Sequence, residues 1–223
     1  MFIRGFCSSI PFLIIYRASK CRFRSCTRMK IIYTSLLLLL SALGAVAQGL
    51  PSQSLTKGSW ELQPFIGGGS GLGKSSNTQF LIAGARVGRI MTSEHFHNLF
   101  RGNFEFAADF MPVYTFFQPG GAVYGGSFKP VIFKWNFTGH QRIAPYALIA
   151  GGIIFSTDNV PPGNTSYVNF SSQGALGFHF FTRPRRAWDF EIQLVHHSNA
   201  SLGHLNPGLN ASLLFTLGYN WFK

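Results

Sequence analysis

Apolar and polar residues alternate singly along most of this chain, and no long stretch repeats at the helical period. Single alternation puts successive side chains on opposite faces of an extended strand. It predicts eight strands, over approximately residues 59–67, 78–91, 101–116, 124–137, 141–155, 166–181, 185–198 and 209–222. Strands of about ten residues or more, separated by turn residues, form the pattern of a barrel that spans a membrane. Closing the sheet leaves no unpaired edge in lipid. The expected fold is all-β: an eight-stranded antiparallel transmembrane β-barrel.

The charged residues fit that register. Five of the seven acidic residues fall in mid-strand: Glu61, Glu105, Asp109, Asp189 and Glu191. Each is flanked by apolar neighbours of the opposite parity, as Glu105 is by Phe104 and Phe106. Arg86 and Lys134 alternate in the same way. A charge facing lipid near the midplane is costly, about 2–4 kcal/mol for Arg or Lys and less for an acid. These seven side chains are therefore expected inside the barrel, paired with one another.

Connection lengths suggest an orientation. The turns at 138–140 and 182–184 are tight, whereas 68–77, 156–165 and 199–208 are long. Short turns belong to the periplasmic side of such barrels and long loops to the outside. Both termini then lie in the periplasm, and the end of the strand over 185–198 reaches the outer leaflet. The segment 92–100 breaks the rule, being long where a short turn is expected.

The N-terminal residues reduce the charge that the barrel itself carries. Residues 29–47 have the plan of a secretory signal peptide: Lys30 at the start, an apolar run over 36–40, and Ala45-Val46-Ala47 before Gln48. Residues 1–28 precede that plan, hold all three cysteines, and read as a spurious upstream extension or a long leader. The expected barrel is 48–223. The full chain has 19 Lys and Arg against 7 Asp and Glu; removing 1–47 takes away seven of the basic residues and leaves a net charge of +5. So modest an excess gives no support to nucleic-acid binding and suits a surface rich in anionic lipid. Without cysteine, residues 48–223 offer neither a disulfide framework nor a thiolate metal site.

Several motifs have plain structural readings. Residues 68–75 match the phosphate-loop pattern G-x-x-x-x-G-K-S, but that motif needs a helix after it, and 79–91 reads as strand. The histidines at 95, 97, 140, 179 and 204 have no metal-site spacing, so no metal or cofactor is expected. Asn136-Phe137-Thr138 and Asn164-Thr165-Ser166 match a sequon too short and frequent to carry weight.

One stretch points to chemistry. His196 and Ser198 are two apart on a predicted strand, so both point the same way, with one imidazole placed to serve one hydroxyl as base. Trp188, Phe190, Ile192 and Leu194 share their parity, so in a membrane barrel the pair faces lipid. H-x-S-N-A at 196–200, followed by N-P-G at 206–208 in an exported eight-strand chain, resembles the PagL family of lipid A 3-O-deacylases. The resemblance implies an outer-membrane serine esterase that removes an ester-linked acyl chain, at the 3-position, from the lipid A of lipopolysaccharide. It implies Ser198 as nucleophile, His196 as general base, the Asn206 side chain as oxyanion donor, and the amide near Ser201, where the family has glycine, as a second donor. The family's acid aligns with Asn210, which carries no charge but can still accept a hydrogen bond from an imidazole N–H. Asp189 and Glu191 have inward parity and cannot replace it. Two other readings stand beside this one: a non-enzymatic structural or adhesion barrel, and an acyltransferase using the same acyl-enzyme. The expected partners are lipid A and outer-membrane lipid, with no nucleic acid; a homo-oligomer is left open.

Overall fold

The structure is a computed structural model and describes residues 50–223, apart from Gln141 and the side chains of Leu50, Ser52 and Asn210. The expected leader segments, 1–28 and 29–47, and the three cysteines lie outside the described residues. A short helix, α1 (Leu50–Ser54), precedes nine strands: β1 (Trp60–Gly71), β2 (Gln79–Ile90), β3 (Gly102–Gln118), β4 (Gly121–Val123), β5 (Gly125–Phe137), β6 (Ile143–Ser156), β7 (Val168–Arg183), β8 (Arg186–Ser198) and β9 (Leu209–Phe222). Neighbours pair antiparallel around a closed sheet, and β9 returns to β1 at Glu61↔Phe222 through Gly71↔Ser212. The three-residue β4 pairs only with the tip of β3 and continues into β5 across Tyr124. The barrel thus has eight staves, and each expected strand coincides with one of them.

The alternation has the expected physical outcome. Outward positions are apolar and exposed, among them Leu176 at 68%, Phe110 at 62% and Ile149 at 61%. So continuous an apolar belt is unfavourable in water and favourable in hydrocarbon. All seven charges assigned to the interior are buried there. Arg86 on β2 binds Asp109 of β3 and Glu191 of β8, each at 2.8 Å. Lys134 on β5 binds Glu61 at 2.5 Å and Glu105 at 3.1 Å. Tyr146, His179 and Gln63 join these groups by bonding to Asp189. Lys129, on the interior face of β5, bonds Gln173. The interior is a plug of paired charges and buried polar side chains and not a channel.

Apolar layers close both ends of this polar centre. At the end carrying the termini, Leu55 just after α1 packs with Ile90, Ala144, Phe181, Ala187 and Phe222. The Asn103 amide holds the Leu55 carbonyl at 2.6 Å, and Ser54 Oγ accepts the Arg185 N–H at 3.0 Å. At the far end Phe80, Tyr114, Phe116, Val195 and Leu214 form the second layer.

One local expectation is corrected. Residues 68–71, Gly-Gly-Ser-Gly, were expected to begin a loop, but they continue β1. They lie where the sheet coils tightly: a Cβ added at Gly68 would come within 2.8 Å of the Phe80 carbonyl oxygen. Glycine here lets two backbones approach, which the strand tolerates and a side chain does not. Only Gly73–Ser75 forms a single 3₁₀ turn, so the phosphate-loop match has no helix behind it.

Candidate active site

The site lies where β8 runs out of the barrel at the far end. Along β8 the burial alternates without a break: Asp189, Glu191, Gln193, Val195 and His197 are inside, while Trp188, Phe190, Ile192, Leu194 and His196 are outside. Ser198 ends the strand on the outer side and is half-buried. His196 pairs across the sheet with Ser172, and Ser198 with Phe170.

His197 explains why it is His196 that faces out. The His197 ring is buried inside, with Nε2 2.7 Å from the Tyr114 hydroxyl and its plane stacked on Phe80 at 5.5 Å. A one-residue slip would exchange the two imidazoles and push Glu191 into lipid.

Beyond Ser198 the chain folds back on the serine. The Ser198 hydroxyl donates to Asn206 Oδ1 at 3.2 Å and accepts the Ala200 N–H at 3.2 Å. Asn206 Oδ1 also accepts the Asn199 N–H at 3.3 Å. The Asn199 side chain closes the loop, accepting the Ser201 N–H and donating to the Leu205 carbonyl, both at 2.9 Å. Loop 157–167 supports it from outside, with the Asn164 carbonyl accepting the Leu205 N–H at 3.0 Å. Asn199 was not singled out in the sequence, although an Asn directly after the strand end is a recognised turn-former. Ala200 and Ser201 have φ of 49° and 64°. Glycine takes that conformation freely and serine at a cost of about 1 kcal/mol, which is why position 201 suits a glycine.

On the other side of His196 the register of β9 shifts. Val195 pairs with Ser212 and His197 with Leu209, so β9 has two residues, Asn210 and Ala211, where β8 has one. Such irregularities re-aim side chains beside functional sites. The Asn210 backbone therefore lies across from His196; its side chain lies outside the described residues.

Below the serine the outer wall is grooved. Gly174, Leu176, Ile192, Leu194 and Leu213 line a groove of about 470 Å³. It continues past Phe190 and Phe215 into a second, of about 410 Å³, that shares Leu176 and Ile192.

Residues 82–220 match the family model described as lipid A 3-O-deacylase (PagL). The chain belongs to the PagL family. The matched span contains His196, Ser198, Asn206 and Asn210. None of the curated proteins matches the chain. Among solved structures, the crystal structure of the outer membrane enzyme PagL is 17% identical, covering 71% of this chain and 98% of its own, with a TM-score of 0.43. The outer membrane protein OprG from Pseudomonas aeruginosa is 10% identical over 77% of this chain and 98% of its own, at 0.47. The outer membrane protein AlkL is 12% identical over 75% of this chain and 91% of its own, at 0.42. PagL membership and the apolar belt agree on an outer-membrane β-barrel.

Proposed function

We propose that this barrel is a serine esterase that removes the 3-O-acyl chain of lipid A in the outer leaflet. The observation that carries the reading is a serine and a histidine side by side on the lipid face, at the rim, above an apolar groove. A lipid reaches such a site directly from the membrane. His196 takes the Ser198 proton, and Ser198 attacks the acyl carbonyl and forms an acyl-enzyme. The proton passes to the leaving sugar oxygen, and water then releases the fatty acid by the reverse sequence. Asn206 Oδ1 is held by the Asn199 N–H, which leaves the Asn206 Nδ2 on the same carbon free to donate to the oxyanion. The Ala200 N–H beside Ser198 Oγ and the neighbouring Ser201 amide supply the backbone side of that cradle.

Asn210 stands at the family's acid position and supplies no charge there. Asn210→Glu is expected to hold or raise the rate of acyl release, by placing an anion beside the developing imidazolium. Steady-state release from purified lipid A measures it, and a large loss of rate would remove Asn210 from the site. The uncharged residue also favours a competing reading, a barrel with no enzymatic role. Mass spectrometry of lipid A from cells with and without the protein separates the readings. Loss of one 3-linked acyl chain supports the esterase, acyl gain elsewhere a transferase, and an unchanged profile the non-enzymatic barrel.

The groove provides a further test. A Cβ at Gly174 meets nothing within 4 Å, so a side chain fits there without backbone strain. Gly174→Phe is expected to fill the groove and slow release of a long acyl chain by about tenfold or more, with short-chain esters affected less. Equal effects on long and short esters would exclude this wall as the acyl path.

A further inference from the structure

The longest anomaly in the chain lies at the opposite rim. The 91–101 connection between β2 and β3 sits at the end that carries the termini, where a barrel of this kind has short turns. Its Phe96, Leu99 and Phe100 are strongly exposed. Phe96 has φ of 62°, a conformation strained for a bulky residue, and its ring packs on Trp135 of β5 at 5.6 Å. Phe96, His97 and Phe100 fold against Trp135 and Phe137 to line an apolar pocket of about 510 Å³. Trp135 also belongs to a smaller groove of about 260 Å³ that runs on to Ile149 of the lipid-facing belt. The pocket is thus an inlet of the membrane surface itself.

The charge at this rim is one-sided. Arg101 directly follows the pocket residue Phe100, and Arg142 ends the neighbouring connection between β5 and β6, whose Thr138 N–H binds the Arg101 carbonyl at 2.9 Å. Arg183, Arg185 and Arg186 surround the turn between β7 and β8, and Arg89 lies over the Trp60 ring at 5.3 Å. Lys57 and Lys223 add to them. Among the described residues, the one acid at this end outside the barrel is Glu94, paired with Arg101. The far end has Lys74 and Asp158, which balance. The whole positive excess of the barrel therefore sits at the terminus rim. The Arg142 Nε is buried there with no hydrogen-bond partner among the described residues. All four tryptophans, at 60, 135, 188 and 221, also lie in this half, the belt such side chains form at a membrane interface.

We propose that this rim binds an anionic glycerophospholipid of the inner leaflet, with one acyl chain in the Phe96–Trp135 pocket and the headgroup phosphate on Arg101 and Arg142. The apolar inlet opens onto the hydrocarbon belt, so its occupant is an acyl chain. The cations of this rim call for an anion at headgroup depth. An exposed cation near an anionic leaflet favours acidic lipid about fivefold. The site lies a barrel's length from Ser198 and is independent of the deacylase reading.

The test uses the full chain with Trp60→Phe, Trp188→Phe and Trp221→Phe, which leaves Trp135 as reporter. The protein is reconstituted in phosphatidylcholine vesicles containing brominated phosphatidylglycerol or brominated phosphatidylcholine at equal fractions. Phosphatidylglycerol is expected to occupy the site at least about fivefold over phosphatidylcholine. Arg101→Gln with Arg142→Gln removes the preference. Phe96→Ala with Phe100→Ala lowers quenching by both lipids. Lys74→Gln and Ser198→Ala change neither. Since Arg101 also ties the loop to Glu94, Arg142→Gln alone is the second variant, with heat-modifiable gel mobility reporting folding. Equal quenching by the two lipids, or a preference that survives both arginine variants, overturns the proposal. So does erasure of the preference by millimolar inorganic phosphate, which would make this a site for the free ion.

Discussion

Ser198→Ala is expected to reduce acyl release from lipid A by at least about 10⁴-fold while the barrel stays folded. The hydroxyl is the one atom that can form the acyl-enzyme, and none of its contacts holds the barrel together. It bonds Asn206 Oδ1 and the Ala200 N–H, both within a rim loop that Asn199 closes independently. His196→Asn is expected to fall by a similar factor, because a nucleophile and its base act as a unit. The double variant should then be little worse than either alone. Two measurements decide it: mass spectrometry of lipid A, and heat-modifiable mobility of the folded protein. Full deacylation by the folded alanine variant would end the assignment of Ser198.

The barrel was legible in the sequence because lipid makes parity obligatory. A soluble sheet tolerates an outward leucine or an inward threonine, but a charge in the middle of a membrane stave must turn inward. Seven charged positions between apolar neighbours therefore fixed the face of every stave that carries one of them. The placement of His196 and Ser198 on the outer face followed from the same count along β8. The pairing of the charges was not legible. Arg86 meets Asp109 across the adjacent β2–β3 ladder, yet it also meets Glu191 from the far side of the lumen. Such a contact depends on barrel diameter and stagger, which no single strand encodes. Lys129 and His179 escaped for a related reason. Lys129 precedes Pro130 beside a register shift in β5, and His179 sits among phenylalanines that read as belt. The rim loops were the least legible. Turn residues mark where a loop begins, but the grip of Asn164 on the 199–208 loop arises from segments that meet only after closure. The 92–100 segment was visible as an exception to loop length, and only its fold against Trp135 gives that exception a role.

The second large effect lies inside the barrel. Arg86→Met keeps the bulk of the side chain and removes its charge. Asp109 and Glu191 then face a buried site without the guanidinium that binds both, through Nε and Nη1. Losing one partner of a buried ion pair costs about 3–5 kcal/mol, because the remaining charge stays desolvated. A triple variant, Arg86→Met with Asp109→Leu and Glu191→Gln, removes the whole cluster and should recover most of that loss. Urea unfolding in lipid vesicles measures both, and a single variant as stable as the parent would mean that the triad contributes nothing to the fold. The consequence reaches the active site through β8. Glu191 lies on the inner face of the strand that presents His196 and Ser198 outward, and its bond to Arg86 of β2 fixes which face that is. Weakening it lowers the cost of a one-residue slip in β8, which would bury His196 and expose His197. Arg86→Met should therefore reduce deacylation more than its folded fraction accounts for, and the charge-free triple variant should restore stability more fully than activity.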